Sequence, residues 1–151
     1  MLEQSISSSE AETVGVADLV IGSTMPVRNV GPINQEHLIR FAGATGDFNP
    51  FHYDAELVRS RGFDAVFAQG QFTAGILGQM LANWVGQVAI RRFAFRFVAP
   101  AYLGDVLRFG VTVVRTYDED GAAAADANCE VVSADGRVVL TGTVKLMASA
   151  A

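Results

Sequence analysis

The stretch GQFTAGILGQMLANWV, residues 70–85, decides the fold. Phe72, Ile76, Leu77, Met80, Leu81, Trp84 and Val85 recur at helical spacing, while Ala74, Gly75 and Gly78 keep the other side small. Bulk on one face and small residues on the other describe a helix buried on more than one side. The two internal glycines cost roughly 1 kcal/mol each against Ala, so close packing or the approach of a ligand has to compensate. This is the expected central helix.

Downstream of it the period changes from helical to two. Phe93, Phe95 and Phe97 alternate with Arg92, Ala94 and Arg96, until Pro100 and Gly104-Asp105 break the run. Leu107, Phe109, Val111 and Val113 alternate in the same way, and a third strand is expected over Asn128 to Ser133. Asp135-Gly136 reads as a two-residue hairpin turn leading into a strand over Val138 to Met147. Upstream, Asn34 is a good N-cap and Ile33 can staple onto Leu38. Ile33, Leu38, Phe41, Ala42 and Thr45 then share a helical face that Gly46 ends, and Asp54 caps a short helix that stops at Arg61-Gly62. Ala17 to Val30, with Gly22 and Pro26, suggests a loop running into an edge strand. Helices followed by a run of antiparallel strands make an α+β domain, with one long helix wrapped by the sheet.

The chain of 151 residues has the length of one domain, half its residues are apolar and 18% are charged, as in a globular protein able to bury a core. Its net charge of −5 argues against nucleic acid as a partner. One cysteine, Cys129, and two histidines, His37 and His52, argue against a disulfide framework and against a metal site. Residues 1–14 are Ser-rich and acidic and read as a disordered leader ahead of a domain over 15–151. They lack the pattern of a signal peptide, and no apolar run suits a membrane span, which makes the cytoplasm the expected compartment.

Between the two helical segments lies Thr45-Gly46-Asp47-Phe48-Asn49-Pro50-Phe51-His52-Tyr53-Asp54. Asp47 and His52 put a carboxylate and an imidazole into one Pro-stiffened loop, the kinds of group that reversible addition of water requires. Asn49 is placed to orient one of them. The same residues also read as a turn in which Asp47 and Asn49 bond their own backbone, and spacing leaves both readings open.

This ten-residue stretch resembles the signature of the MaoC-like, R-specific enoyl-CoA hydratase (hydratase 2) family, shared with β-hydroxyacyl-ACP dehydratases. Ile39-Arg40-Phe41-Ala42 is similar to the helix leading into that signature, Phe67 to Phe72 to the opening of the central helix, and Phe95 to Asp105 to a family strand ending in Pro and Gly-Asp. The likeness runs from about Ala17 to Met147. It implies a hot-dog fold, an antiparallel curved sheet around a long central helix, dimerised through sheet edges or paired with another hot-dog subunit. It also implies that Asp47 and His52 hold the water added to a trans-2-enoyl thioester, giving an (R)-3-hydroxyacyl product. The developing enolate oxygen needs donors, and the backbone amides of Gly70 and Gln71 at the helix start are the candidates. No cofactor is implied beyond coenzyme A or the acyl carrier that is part of the substrate.

Two departures stand out. Gln69 occupies the place where the family commonly has His, and Gly75 matches a small hydroxyl residue of some relatives. Gly75 and Gly78 either make room for a longer acyl group or allow close helix–sheet packing. Arg91, Arg92 and Arg96, with Arg108 and Arg115, are either phosphate contacts for the carrier or outward residues matched to local acids. His37 is expected on a solvated face, and Cys129 as a small buried hydrophobe. The rivals are a 3-hydroxyacyl-ACP dehydratase subunit of fatty-acid or mycolate-type synthesis, and a MaoC-like subunit of a heteromeric hydratase for substrates such as steroid side chains. A thioesterase fits less well, because residues 70–85 carry no carboxylate.

Overall fold

The computed structural model describes residues 13–148. Residues 1–12, most of the expected leader, lie outside that range, and of its remainder Val14 donates its N–H to the Trp84 carbonyl at 2.8 Å. The strands are β1 (Arg28–Val30), β2 (Ile90–Phe97), β3 (Leu107–Glu119), β4 (Ala122–Ser133) and β5 (Val138–Met147). They form one antiparallel sheet in the order β1-β3-β4-β5-β2, so β1 and β2 are its edges. The helices are α1 (Gln35–Thr45), α2 (Ala55–Ser60) and α3 (Gly70–Val85).

The expected period of two is what seats the sheet on α3. Leu107, Phe109, Val111 and Val113 are all buried and join Leu77, Leu81 and Trp84 of α3 in one core with Val131, Leu140, Val144 and Leu146. β3 and β4 run well past the expected strands, because the hairpin between them turns at Asp120 and Gly121, both in the left-handed region (φ 54° and 82°). The alanines of 122–127 hid that strand. They alternate too little in bulk to show a period, though Ala124, Ala125 and Ala127 are buried.

The second hairpin also differs from expectation. Asp135-Gly136 is not a two-residue loop: Ser133 N–H bonds the Arg137 carbonyl, Gly136 N–H bonds the Ser133 carbonyl, and only Gly136 has positive φ (87°). A three-residue connection with glycine in the left-handed position results.

The helix boundaries follow their caps. Asn34 Oδ1 accepts the His37 N–H at 3.0 Å, and His37 Nδ1 accepts the Asn34 N–H at 3.2 Å. His37 is thus half of a capping box, also stacked on Phe72 at 6.1 Å, rather than a solvated bystander. Asp54 Oδ1 accepts from Glu56 and Leu57 N–H and starts α2. Among the described residues, no helix is long and apolar enough to cross a membrane.

Candidate active site

The loop after α1 is built so that one carboxylate works in two directions. Gly46 ends α1 in the left-handed conformation (φ 76°), a position that suits glycine, and turns the chain toward Asp47. Asp47 Oδ1 lies 3.4 Å from the Asn49 N–H, the turn contact, while Oδ2 faces His52 Nε2 at 3.7 Å. The turn and the paired groups are therefore the same structure, seen from the two oxygens of one side chain. Asn49 differs from its expected role. Its Oδ1 accepts the Phe51 N–H and caps the 3-10 turn Pro50–His52, so it reaches Asp47 through its main chain and not through its amide.

His52 is 8% exposed. Its Nδ1 lies 2.8 Å from the Phe67 carbonyl oxygen, and its ring packs edge-on against the Phe67 ring at 5.6 Å. A carbonyl only accepts, so Nδ1 carries a proton; in the neutral imidazole the Nε2 lone pair then faces Asp47. Two acceptors 3.7 Å apart cannot bond each other. One small donor with two hydrogens, such as water, satisfies both. The loop is held from the other side as well, since Gln35 Nε2 of α1 donates to the His52 carbonyl at 3.2 Å.

The segment Phe67–Gln69 continues directly into α3. No side chain caps that helix, and while the Phe72 N–H bonds the Gln69 carbonyl at 3.0 Å, the Gly70 and Gln71 amides are left for another partner. Gln69 is 1% exposed, and its Nε2 donates to the Leu38 carbonyl of α1 at 3.2 Å, while its Oε1 is buried without a hydrogen-bond partner. Gly70 lies against Phe97, and a Cβ there would stand 2.8 Å from two carbons of the ring. Gly70 also borders a cleft of about 290 Å³ formed with Ala68, Thr73, Phe97, Pro100 and Val139.

The remaining predicted positions are spread differently. A Cβ on Gly75 would meet nothing within 4 Å, and one on Gly78 would stand 3.8 Å from Phe93 Cε1, so close packing requires glycine at neither. Arg91, Arg92 and Arg96 are exposed along β2 with no ion pair among the described residues, whereas Arg108 faces Glu130 at 3.9 Å and Arg115 faces Asp126 at 3.8 Å. Among the described residues no group of three or more His, Cys, Asp or Glu gathers to hold a metal. Sequence patterns did not reveal the Phe67 carbonyl, the Gln35 strut or the Gln69–Leu38 bond. The first is main chain, and the other two join residues 17 and 31 positions apart.

A long helix seated on one antiparallel sheet defines a hot-dog fold. Comparison with known proteins narrows the class. The MaoC like domain matches residues 18–134, and the chain belongs to that family; it is a hydro-lyase. It is 30% identical to a 3-hydroxybutyryl-CoA dehydratase of Methylorubrum extorquens over 128 residues, covering 83% of this chain and 78% of that one. It is 26% identical to an (R)-specific enoyl-CoA hydratase of Rhodospirillum rubrum over 121 residues, 78% of this chain and 81% of the relative. Among solved structures, the R-hydratase PhaJ1 of Pseudomonas aeruginosa superimposes with a TM-score of 0.78 at 23% identity, covering 92% of this chain and 88% of that one. At that identity the likeness is one of fold.

Proposed function

We propose that the protein adds water to a trans-2-enoyl thioester to give an (R)-3-hydroxyacyl thioester, and catalyses the reverse elimination. The observation that carries this reading is the facing of Asp47 Oδ2 and His52 Nε2 at 3.7 Å, with the imidazole proton held on the far nitrogen by Phe67. A water donating to both acceptors has its oxygen lone pairs directed away from them, toward an alkene carbon. Its oxygen bonds C3 while one of its protons passes to the pair, and the pair returns a proton to C2. The electron pair pushed onto the thioester oxygen in between is stabilised by the free amides of Gly70 and Gln71, helped by the positive end of the α3 dipole.

The same reading extends to the carrier and to assembly. Arg91, Arg92 and Arg96 supply cations for the phosphates of coenzyme A or of an acyl-carrier arm. The open side at Gly75 supplies room for the acyl group. β2 is an open edge whose last residue, Phe97, and the following Val98 are 45% and 53% exposed, and a second hot-dog subunit, identical or not, pairs there in the cytoplasm. A carrier-bound substrate is the second reading. It is favoured by 24% identity over 130 residues to a 3-hydroxyacyl-[acyl-carrier-protein] dehydratase, FERN, of Solanum lycopersicum, covering 85% of this chain and 77% of that one.

Loss of enoyl-thioester absorbance across short, long and polycyclic acyl-CoAs, and across acyl-ACP, tests the reading. Asp47→Asn and His52→Ala are each expected to lower kcat by at least about 100-fold, the scale of acid–base catalysis. Wild-type rates in both variants would remove the pair from the mechanism.

A further inference from the structure

The imidazole proton is held by a main-chain carbonyl, so the position of that carbonyl has to be held in turn. Phe67 lies in a short bridge with Tyr102, closed by Ala68 N–H to the Ala101 carbonyl (2.7 Å) and Leu103 N–H to the Val66 carbonyl (3.2 Å). The Phe67 and Tyr102 rings meet edge to face at 6.3 Å. Residues 98–106 connect β2 to β3 with little regular structure, held by main-chain bonds to Val139 and Ile33 and by one side chain.

That side chain is Arg137, next to the β4–β5 turn. Its Nη1 donates to the Pro100 carbonyl, and its Nη2 lies 3.1 and 3.2 Å from the two Asp105 oxygens. Nη2 also lies 3.3 Å from Asp135 Oδ2, and the guanidinium sits over the Tyr102 ring at 4.9 Å. Asp105 closes the loop by accepting the Tyr102 N–H at 2.8 Å. The ion pair is largely withdrawn from water, with side-chain exposures of 25% and 16%. One planar cation thus ties together Pro100, Tyr102 and Asp105 within the connection.

We propose that Arg137, with Asp105, is a positioning device for the reaction: by fixing Pro100–Asp105 it fixes Phe67 and, through the Phe67 carbonyl, the tautomer and aim of His52. This rests on the reading of His52 given above. The same stretch, Phe67 to Gly70, delivers the amides at the start of α3, so one clamp sets the spacing between the imidazole and those donors. Lys cannot replace Arg here, because a point charge on a flexible stem does not hold a carbonyl, two carboxylates and a ring face at once.

The test uses Arg137→Lys, Arg137→Met and Asp105→Asn, with Val131→Ala as a variant that lowers stability in the core away from the bridge. The imidazole 15N shifts of His52, assigned by loss of signal in His52→Ala, report which ring nitrogen carries the proton. In the wild type Nδ1 is expected to be the protonated one. In the clamp variants the two tautomers should mix, and kcat should fall about 10-fold or more with KM within about 3-fold, the signature of misplacement rather than lost binding. Val131→Ala should lower the unfolding midpoint and leave the 15N pattern unchanged.

A clamp variant that keeps the Nδ1 proton and a kcat within about 2-fold of wild type overturns the proposal. So does a shift pattern that changes equally in Val131→Ala. If Arg137→Met does not fold, Arg137→Lys and Asp105→Asn decide the matter. A His52→Ala enzyme with full activity would instead overturn the assignment of the pair, and the 15N pattern would still judge the clamp.

Discussion

At the scale of single residues, the site depends on atoms whose neighbours leave them little freedom. Gly70 is the clearest case, because its missing Cβ is matched by the Phe97 ring. Gly70→Ala forces that ring aside, and the helix start cannot retreat while Ala68 N–H holds the Ala101 carbonyl. The expected result is a fall in kcat of about 10-fold with the unfolding midpoint little changed, partly restored when Phe97→Leu is added in the same chain. An Ala variant as fast as wild type would show that the ring yields freely. That Asp47 and His52 share one loop was legible at this scale, and the structure sets Oδ2 and Nε2 facing each other at 3.7 Å, a distance no spacing in the sequence gives. The Asn49 side chain accepts the Phe51 N–H while its own N–H faces Asp47, a division of contacts that a sequence does not announce.

At the scale of elements, helix caps and alternation carried nearly everything that was foreseen. The Asn34 and Asp54 caps, the α3 span, the buried face of β3 and the span of β5 all follow from local rules. What escaped were features set by a partner strand. Gly142 of β5 is one: a Cβ there would stand 2.5 Å from the Ala94 carbonyl oxygen and 2.9 Å from Cys129 Sγ, so glycine lets β2 and β5 close up. Nothing near residue 142 announces this, because the crowding atoms come from β2 and β4. Gly142→Ala is expected to destabilise the fold by roughly 1–3 kcal/mol, the usual cost of overpacking, read as a lower urea midpoint. An unchanged midpoint would mean the sheet separates at that point without cost. Cys129, beside it, is held by burial with its thiol pKa pushed up to about 11, so the crowded atom is a neutral thiol at ordinary pH.

At the scale of the whole molecule, the family likeness supplied what local rules do not, namely that a sheet and a helix of this order close around each other. The assembly proposed for β2 predicts a solution mass near twice the chain's 16.0 kDa, about 32 kDa by light scattering. A stable, active monomer would remove β2 from the interface. A monomer that becomes active only on adding a second hot-dog chain would show that the partner is a different protein. The open edge itself was invisible in sequence, since Phe93, Phe95 and Phe97 read alike whether their strand has one neighbour or two.

That the imidazole leans on the Phe67 carbonyl has a consequence for how this site can drift over time. Any amino acid at position 67 presents the same oxygen, so selection cannot guard the contact by guarding the side chain that owns it. An alanine scan would report position 67 through its ring packing alone and leave the contact uncounted. Replacing the peptide linkage after Phe67 by an ester, which weakens that carbonyl as an acceptor and also removes the Ala68 N–H bonded to the Ala101 carbonyl, would disturb it while keeping every side chain. A chain with another side chain at 67 would therefore keep the same proton position wherever its packing leaves that carbonyl in place.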